Sequence, residues 1–476
     1  MTSNSKTLWR SLLNNERLDK EDINYRDNTT INRDSFERDY DRVIFSTAFR
    51  RLQDKTQVFP LPNSDFIHKR LIHSIEVSSV GRSLASHISD FLLSKDEPHI
   101  EPEDKYKICE IVKTACLLHD IGNPPFGHAG EDAIARFYKN KEYKKFEINE
   151  LDELIENDHN FANELYLFEG NAHGLSISLA MNFTPAVIGA YMKYPALVCN
   201  HNGYYKKFGI FQKDQQRFEE IATKLNLKKL FNCDYNKCYA RHPLSYLVEA
   251  ADDICYKFLD AEDGFHIDLI PFKELLDVYE KIASVGGKES PEIDKIKQKY
   301  IDDEHKQLRV LRSKCINTLI AAVVEVYKNK YNEIMNGSLC QVKKNEGQYS
   351  LIEYVPVDLK KGMKDLGDLV KKNCYGDDRV LSLEILGYKV IGDLLSKFLY
   401  ANISNYLNDK PQDEKYIKKL VSLTPKQYQF KQIINKTQQE NIKTIVYNIN
   451  SFIAGMTDTY ALNLYKKLNG IEEPTY

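Results

Sequence analysis

An imidazole next to a carboxylate at the end of a helix is a natural cation holder. The stretch His119-Asp120-Ile121-Gly122-Asn123-Pro124-Pro125-Phe126-Gly127-His128 offers such a pair, with a second histidine just beyond a rigid turn. Apolar residues recur at helical intervals over 108–118, and Gly122, Asn123 and the two prolines forbid continuation of that helix. His119 and Asp120 therefore fall at a helix C-terminus, where the exposed carbonyls favour a bound cation. A second helical pattern, over 68–92, is marked by Ile72, Ile75, Val80, Leu84 and Ile88. It carries His73, with Arg70 one turn earlier, which suggests an anion close to a metal ligand. A third pattern, over 244–263, sets Asp252, Tyr256 and Asp260 at successive intervals of four, with Gly264 as the expected stop. Beside the apolar Leu247, Val248, Ala251, Ile254 and Cys255, that polar stripe is costly to bury unpaired and so implies a ligand.

These residues carry a family resemblance. His73, the His119-Asp120 pair and an aspartate within Glu249-Ala250-Ala251-Asp252-Asp253 resemble the H…HD…D signature of the HD superfamily of metal-dependent phosphohydrolases. A narrower likeness runs along most of the chain. Phe36-Glu37-Arg38-Asp39-Tyr40-Asp41-Arg42 with Phe49-Arg50-Arg51-Leu52-Gln53-Asp54-Lys55-Thr56-Gln57 resembles the N-terminal segment of bacterial deoxyguanosine triphosphate triphosphohydrolases (dGTPases). Phe168-Glu169-Gly170-Asn171-Ala172, Met192-Lys193-Tyr194-Pro195, Asp252-Asp253-Ile254-Cys255-Tyr256 and Ile453-Ala454-Gly455-Met456-Thr457-Asp458 follow in the family's order.

The resemblance implies an all-α, predominantly helical HD-domain fold, with at most a small β-hairpin. It also implies His73, His119, Asp120 and Asp252 as metal ligands. That mixed imidazole and carboxylate set, without thiolates, suits Mn, Mg, Fe, Co or Ni. Asp252 and Asp253 point about 100° apart on a helix, and only Asp252 aligns with Tyr256 and Asp260. By the same resemblance Tyr256 stacks on a deoxyribose, Asp260 and Gln53 meet its 3′-hydroxyl, and Arg70, Asn171, Lys193 and Tyr194 hold the phosphate chain. His128 and Glu131 are the expected catalytic pair, the carboxylate orienting the imidazole for proton transfer. His128 then either protonates the departing 5′-oxygen or helps to activate the attacking water.

The implied reaction is hydrolysis of dGTP, or another deoxynucleoside triphosphate, at the α-phosphorus, giving a deoxynucleoside and inorganic triphosphate. A nucleotidase, a cyclic-nucleotide phosphodiesterase, an alarmone hydrolase and a non-catalytic nucleotide or single-stranded nucleic-acid binding regulator are the alternatives. No Walker-type glycine-rich loop is present, so phosphates must be met by helix-borne side chains. The family implies a homo-oligomer, hexamer or tetramer, and leaves room for a nucleotide or single-stranded DNA effector. The aromatic and basic run over 204–211 could itself touch a base or a single strand.

Composition sets the outer limits. The 476 residues are ample for a large core, and a net charge of -3 argues against a globally basic nucleic-acid surface. Nine cysteines without CxxC pairing fit a reducing cytoplasm, and no apolar stretch suits a signal peptide or a membrane span. Residues 1–29 read as an extension, 30–270 as the catalytic helical core and 271–476 as a helical layer packed on it. Within these, 139–159 is an excursion, 283–291 a turn, 345–355 a candidate hairpin and 377–460 helix-rich.

Overall fold

The computed structural model describes residues 2–19, 33–59, 67–96, 99–146, 148–198, 205, 207–230, 238–284, 291–340, 350–408, 413–431 and 436–471. Helices dominate, and among the described residues pairing between extended segments is limited to isolated bridges such as Thr56 with Lys69. The chain opens with α1 (Thr2–Leu12), α2 (Ser35–Phe45) and the single turn α3 (Thr47–Arg50). A capping box starts α2: Asp34 accepts from backbone N–H groups of the first turn while Glu37 reaches back to the Asp34 N–H. Next come α4 (Arg70–Leu93), α5 (Asp104–Leu118) and α6 (Gly127–Lys139), then α7 (Asn149–Asn157), within 139–159, and α8 (His159–Tyr166) just beyond it. The middle holds α9 (Gly170–Ala180), α10 (Pro185–Tyr191), α11 (Gln215–Lys224) and the long α12 (Ser245–His266). Beyond lie α13 (Phe272–Ala283), α14 (Pro291–Lys299), α15 (Glu304–Met335), α16 (Val357–Asn373), α17 (Asp378–Leu407), α18 (Glu414–Leu423), α19 (Gln438–Ala454) and α20 (Asp458–Leu468). No helix among the described residues is long and apolar enough to cross a membrane.

Apolar burial divides into two clusters. The first unites α4, α5, α10 and α12 with α13, α15 and α16, through residues such as Val77, Leu84, Ile111, Leu118, Ile121, Ile254 and Leu319. The second unites α6, α7 and α8 with α17, α19 and α20, through Phe126, Phe137, Phe161, Leu394, Phe452 and Ala461. The loop between α5 and α6 joins them, since Ile121 belongs to the first cluster and Phe126 to the second.

Two local expectations are corrected. Gly264 does not stop α12, which runs on to His266. A Cβ there would lie 2.6 Å from Cys374 Sγ and 2.9 Å from Ile270 Cδ1, so the glycine permits close packing and is not a cap. The candidate hairpin lies partly outside the described residues, and Leu351–Tyr354 within it is a 3-10 turn. Leu351 and Ile352 are both buried, so the period-two pattern of a strand loses to packing of consecutive residues among α12, α15 and α16. The expected turn at 283–291 lies largely outside the described residues.

The pair α4 and α5 sets how closely the histidine-bearing helices approach. Gly81 faces Cys116 across it, and a Cβ at Gly81 would stand 2.4 Å from the sulfur. Gly81→Ala should therefore cost about 1–3 kcal/mol by overpacking, read as a lowered thermal midpoint, and adding Cys116→Ala should recover part of it. An unchanged midpoint in the single variant would mean that the two helices are not held this close.

Candidate active site

His73 projects from the first turn of α4, His119 terminates α5, and Asp252 stands on the second turn of α12. The three helices bring His73 Nε2 to 3.2 Å from His119 Nε2 and 3.1 Å from Asp252 Oδ1, with His119 Nε2 3.6 Å from the same oxygen. Among the described residues they form the group able to share one metal ion, with all donor atoms within 4.8 Å of one another. Ligands bound at about 2.1 Å in an octahedron sit roughly 3 Å apart, so the spacing fits a divalent ion. Donor chemistry fits as well. His119 Nδ1–H donates to the Cys116 carbonyl at 2.7 Å, which leaves Nε2 of that ring turned towards His73 and Asp252 as a donor atom for a metal.

Asp120 stands beside this group. Its Oδ2 accepts from Arg70 Nη1 at 2.7 Å and lies 3.5 Å from His119 Nε2, while Oδ1 accepts from the Asn123 amide. Burial opposes ionisation of Asp120, but Arg70, His119 and His73 hold its carboxyl well below the usual range. Asp252 is half-buried; desolvation opposes its ionisation too, yet His119 and His73 bring it to about 2. Both carboxylates are thus ionised and ready to meet a cation.

The loop after His119 reverses sharply to deliver His128. Phe126 has φ +63° and Gly127 φ +60°, two successive left-handed residues ahead of α6. Left-handed backbone strains a bulky side chain such as phenylalanine. His128 emerges 85% exposed into the cavity, with Nδ1 2.9 Å from Glu131 Oε2. Glu131 is buried, and its other oxygen accepts the Gly170 N–H at 2.7 Å, at the N-terminus of α9. A Cβ on Gly170 would lie 2.7 Å from that oxygen and 2.5 Å from Asn123 Oδ1, so only glycine allows this approach. The hydrogen bond to Glu131 raises the His128 pKa, against desolvation by the surrounding cavity walls and the charges of Arg70 and Lys207.

A cavity of about 580 Å³ gathers these groups. His73, His119, Asp120 and Asp252 share it with His128, Glu131, Arg70, Asn171, Lys193, Tyr194, Tyr256 and Asp260, all expected from sequence. Gln53 is exposed on the 3-10 turn Arg51–Asp54 and is not on the cavity wall, whereas Gln57 is. Lys193 Nζ lies 3.3 Å from Glu249, which also pairs with the buried Arg241 at 2.6 Å. Asp260 accepts from the Tyr375 hydroxyl at 3.0 Å, its other oxygen is buried without a partner, and burial pushes its pKa to about 7.

Sequence reasoning missed Lys207, Tyr375, Val380, Leu383 and Glu384 on the wall. Lys207, whose Nζ lies 2.9 Å from Glu169, belongs to the aromatic and basic run, so a signal existed. Nothing local marks Tyr375 or the start of α17 as facing the metal-binding residues. The buried His173 and His242, each bonded to a backbone carbonyl, belong to packing and stay neutral, burial pulling them to about 3 and about 4.

Glu131→Gln keeps the shape at His128 but removes the charge that favours the imidazolium. The His128 titration, followed by histidine NMR, should then move to lower pH than in the unaltered protein. No movement would show that Glu131 does not govern this imidazole.

The family model of the HD domain matches residues 70–176, the stretch from Arg70 into α9 that holds two of the three clustered residues. A deoxyguanosinetriphosphate triphosphohydrolase-like protein of Synechocystis sp. is 32% identical over 97% of this chain and 99% of its own length. One from Pseudomonas aeruginosa is 32% identical over 98% of this chain and its full length. A protein of Yersinia pseudotuberculosis named deoxyguanosinetriphosphate triphosphohydrolase is 27% identical over 92% of this chain and 94% of its own. With this likeness running nearly end to end, and the histidines and aspartate of the HD signature converging in one cavity, the chain is a metal-dependent phosphohydrolase and belongs to the deoxyguanosinetriphosphate triphosphohydrolase-like family.

Proposed function

We propose that the protein hydrolyses dGTP, and to a lesser degree other deoxynucleoside triphosphates, into the deoxynucleoside and intact inorganic triphosphate. The observation that carries this reading is the joining of three kinds of group in one cavity: the His73, His119 and Asp252 cluster, the His128–Glu131 pair, and the cations Arg70, Lys193 and Lys207. The preference for guanine rests on the names of the relatives.

A divalent ion held by His73, His119 and Asp252, with Asp120 alongside, would polarise a phosphate oxygen and lower the pKa of a bound water. Arg70, Lys193 and Lys207 offset the charge of the triphosphate, and Asn171 and Tyr194 orient it. Water attacks the α-phosphorus, the bond from phosphorus to O5′ breaks, and O5′ takes a proton. His128 is suited to supply that proton, because Glu131 keeps the imidazole protonated to higher pH than usual while leaving Nε2–H free to donate. Tyr256 packs on the sugar, and Asp260, held by Tyr375, meets the 3′-hydroxyl. Gln53, just before the wall residues Thr56 and Gln57, is the second candidate for that hydroxyl. Assembly as a hexamer or tetramer, and a nucleotide or single-stranded DNA effector, are carried over from the family resemblance.

The test is turnover of each dNTP and NTP with Mn²⁺ or Mg²⁺, singly and in mixtures, with products resolved by chromatography and phosphorus NMR. Deoxyguanosine with intact triphosphate is expected; phosphate, pyrophosphate or a linearised nucleotide would point to another phosphohydrolase. Asp252→Ala should abolish both metal binding and turnover. His128→Ala should keep the metal and lose about 10²-fold or more in kcat.

The pH dependence follows from the sign of the His128 shift. As a proton donor His128 is competent below its raised pKa, so kcat should fall as pH rises through that value. Glu131→Gln should move this basic limb to lower pH. A limb that moves to higher pH, or a fall in kcat on acidification through the same range, would remove the donor role.

A further inference from the structure

The two hydrophobic clusters divide the proposed catalytic groups between them. His73, His119 and Asp252 ride on α4, α5 and α12 of the first, whereas His128 follows Phe126, whose ring is buried in the second. The distance from His128 to the metal-binding cluster is therefore set by how the two clusters meet. At that junction lies Asp458, the first residue of α20 and 2% exposed.

The polar contacts of Asp458 reach both sides of the junction, Phe126 within its own cluster and Thr56 across from it. Oδ1 accepts the Phe126 N–H at 2.9 Å, and so grips the left-handed residue that aims His128. Oδ2 accepts the Thr56 N–H at 3.0 Å and the Thr56 hydroxyl, and Thr56 lines the cavity. The residues around it repeat the pattern. Buried Lys55 donates to the carbonyls of Asn123, in the same turn, and Ala454, at the end of α19. Arg51 donates to the Gly455 carbonyl at 3.0 Å, and the Thr459 hydroxyl to Asp54 at 3.0 Å. From the other side Gly387 on α17 presses on Phe126, where a Cβ would lie 3.2 Å from three of its carbon atoms.

We propose that Asp458 is a positioning residue for the reaction: its carboxylate clasps the Phe126 turn and the Thr56 segment together, and so fixes His128 relative to the metal-binding cluster. The two N–H donors need two acceptor oxygens. A strained phenylalanine held by one buried carboxylate, with a lysine tying the same turn to α19, is more apparatus than chain termination requires. The proposal rests on the role given above to His128, and the readouts keep the two apart.

The experiment uses the full chain loaded with Mn²⁺ for turnover and Mn²⁺ affinity, and with diamagnetic Mg²⁺ for the His128 NMR titration. Asp458→Asn preserves volume but leaves one oxygen where two are needed. It should keep Mn²⁺ affinity, lower kcat for dGTP by about 10²-fold, as a misplacement on the order of 1 Å does, and move the His128 titration down towards about 6.5. A folded Asp458→Asn protein with unchanged kcat and an unchanged His128 titration overturns the proposal, as does a fall in Mn²⁺ affinity that matches the fall in kcat. If Asp458→Asn does not fold, Gly387→Ala decides. It pushes the same turn without touching a buried charge, so a displaced His128 titration at constant Mn²⁺ affinity supports the clasp and an unchanged one overturns it. Should the unaltered protein release no triphosphate from any nucleotide, the proposed activity fails while the NMR and Mn²⁺ results still judge the clasp.

Discussion

Two imidazole nitrogens 3.2 Å apart, with the carboxylates of Asp252 and Asp120 beside them, gather four electron-rich donor groups at one point, an arrangement that a cation between them would satisfy. The Cys116 carbonyl makes the arrangement deliberate by fixing the His119 tautomer, and Asp120 and Asp252 add negative charge at the same point. Much of the surrounding structure answers to this concentration of lone pairs and charge. Arg70 neutralises Asp120, and Gly81 lets the helices that carry the histidines approach. The chain holds these groups together by rigid helix packing, so the cost of gathering them is met in folding and the geometry is ready when a cation arrives.

The His128–Glu131 pair is built on a different principle. It depends on a loop, and a loop has to be held. The loop is gripped at Phe126 by Asp458, at Asn123 by Lys55 and at Gly122 by His173, whose imidazole donates to the carbonyl at 2.9 Å. Lys55 illustrates the strength of the demand. Its ammonium is fully enclosed, which pulls its pKa to about 7, and the hydrogen bonds it makes in the structure run to backbone carbonyls. The rigid group and the held group face one cavity, and the interval between them is a property of the junction between the two cores.

What the sequence made legible follows from the range of each signal. Helical periodicity is local, so α4, α5 and α12 were readable with their histidines and aspartates, and the four-residue spacing of Asp252, Tyr256 and Asp260 put all three on the cavity wall. The spacing of His128 and Glu131 likewise anticipated a contact within one turn of α6. Failures came where distant packing decided. Gly264 carries the local mark of a helix stop, but Cys374 and Ile270 use it for close contact. The alternation after Gly347 reads as a strand until the burial of both Leu351 and Ile352 makes it a 3-10 turn. Glu384 could not be placed from sequence, since its place on the wall follows from the packing of α17 across α6, at Gly387 against Phe126, and Tyr375, in the link between α16 and α17, carries no local signal.

The bond between Thr56 and Asp458 spans 402 positions of sequence, and this has a consequence for biosynthesis. At ordinary rates of translation, roughly 10–40 s separate the appearance of Asp252, the last member of the His73, His119 and Asp252 group, from that of Asp458. During that interval α4 and α5 can pack and the ligand-bearing helices can form, but the Phe126 turn lacks its carboxylate partner. A chain still on the ribosome can therefore bring His73, His119 and Asp252 together before the turn that carries His128 is held, and the second waits for the last helices to emerge. The two halves of the cavity are thus completed in sequence, the His73, His119 and Asp252 group first and the held turn before His128 last.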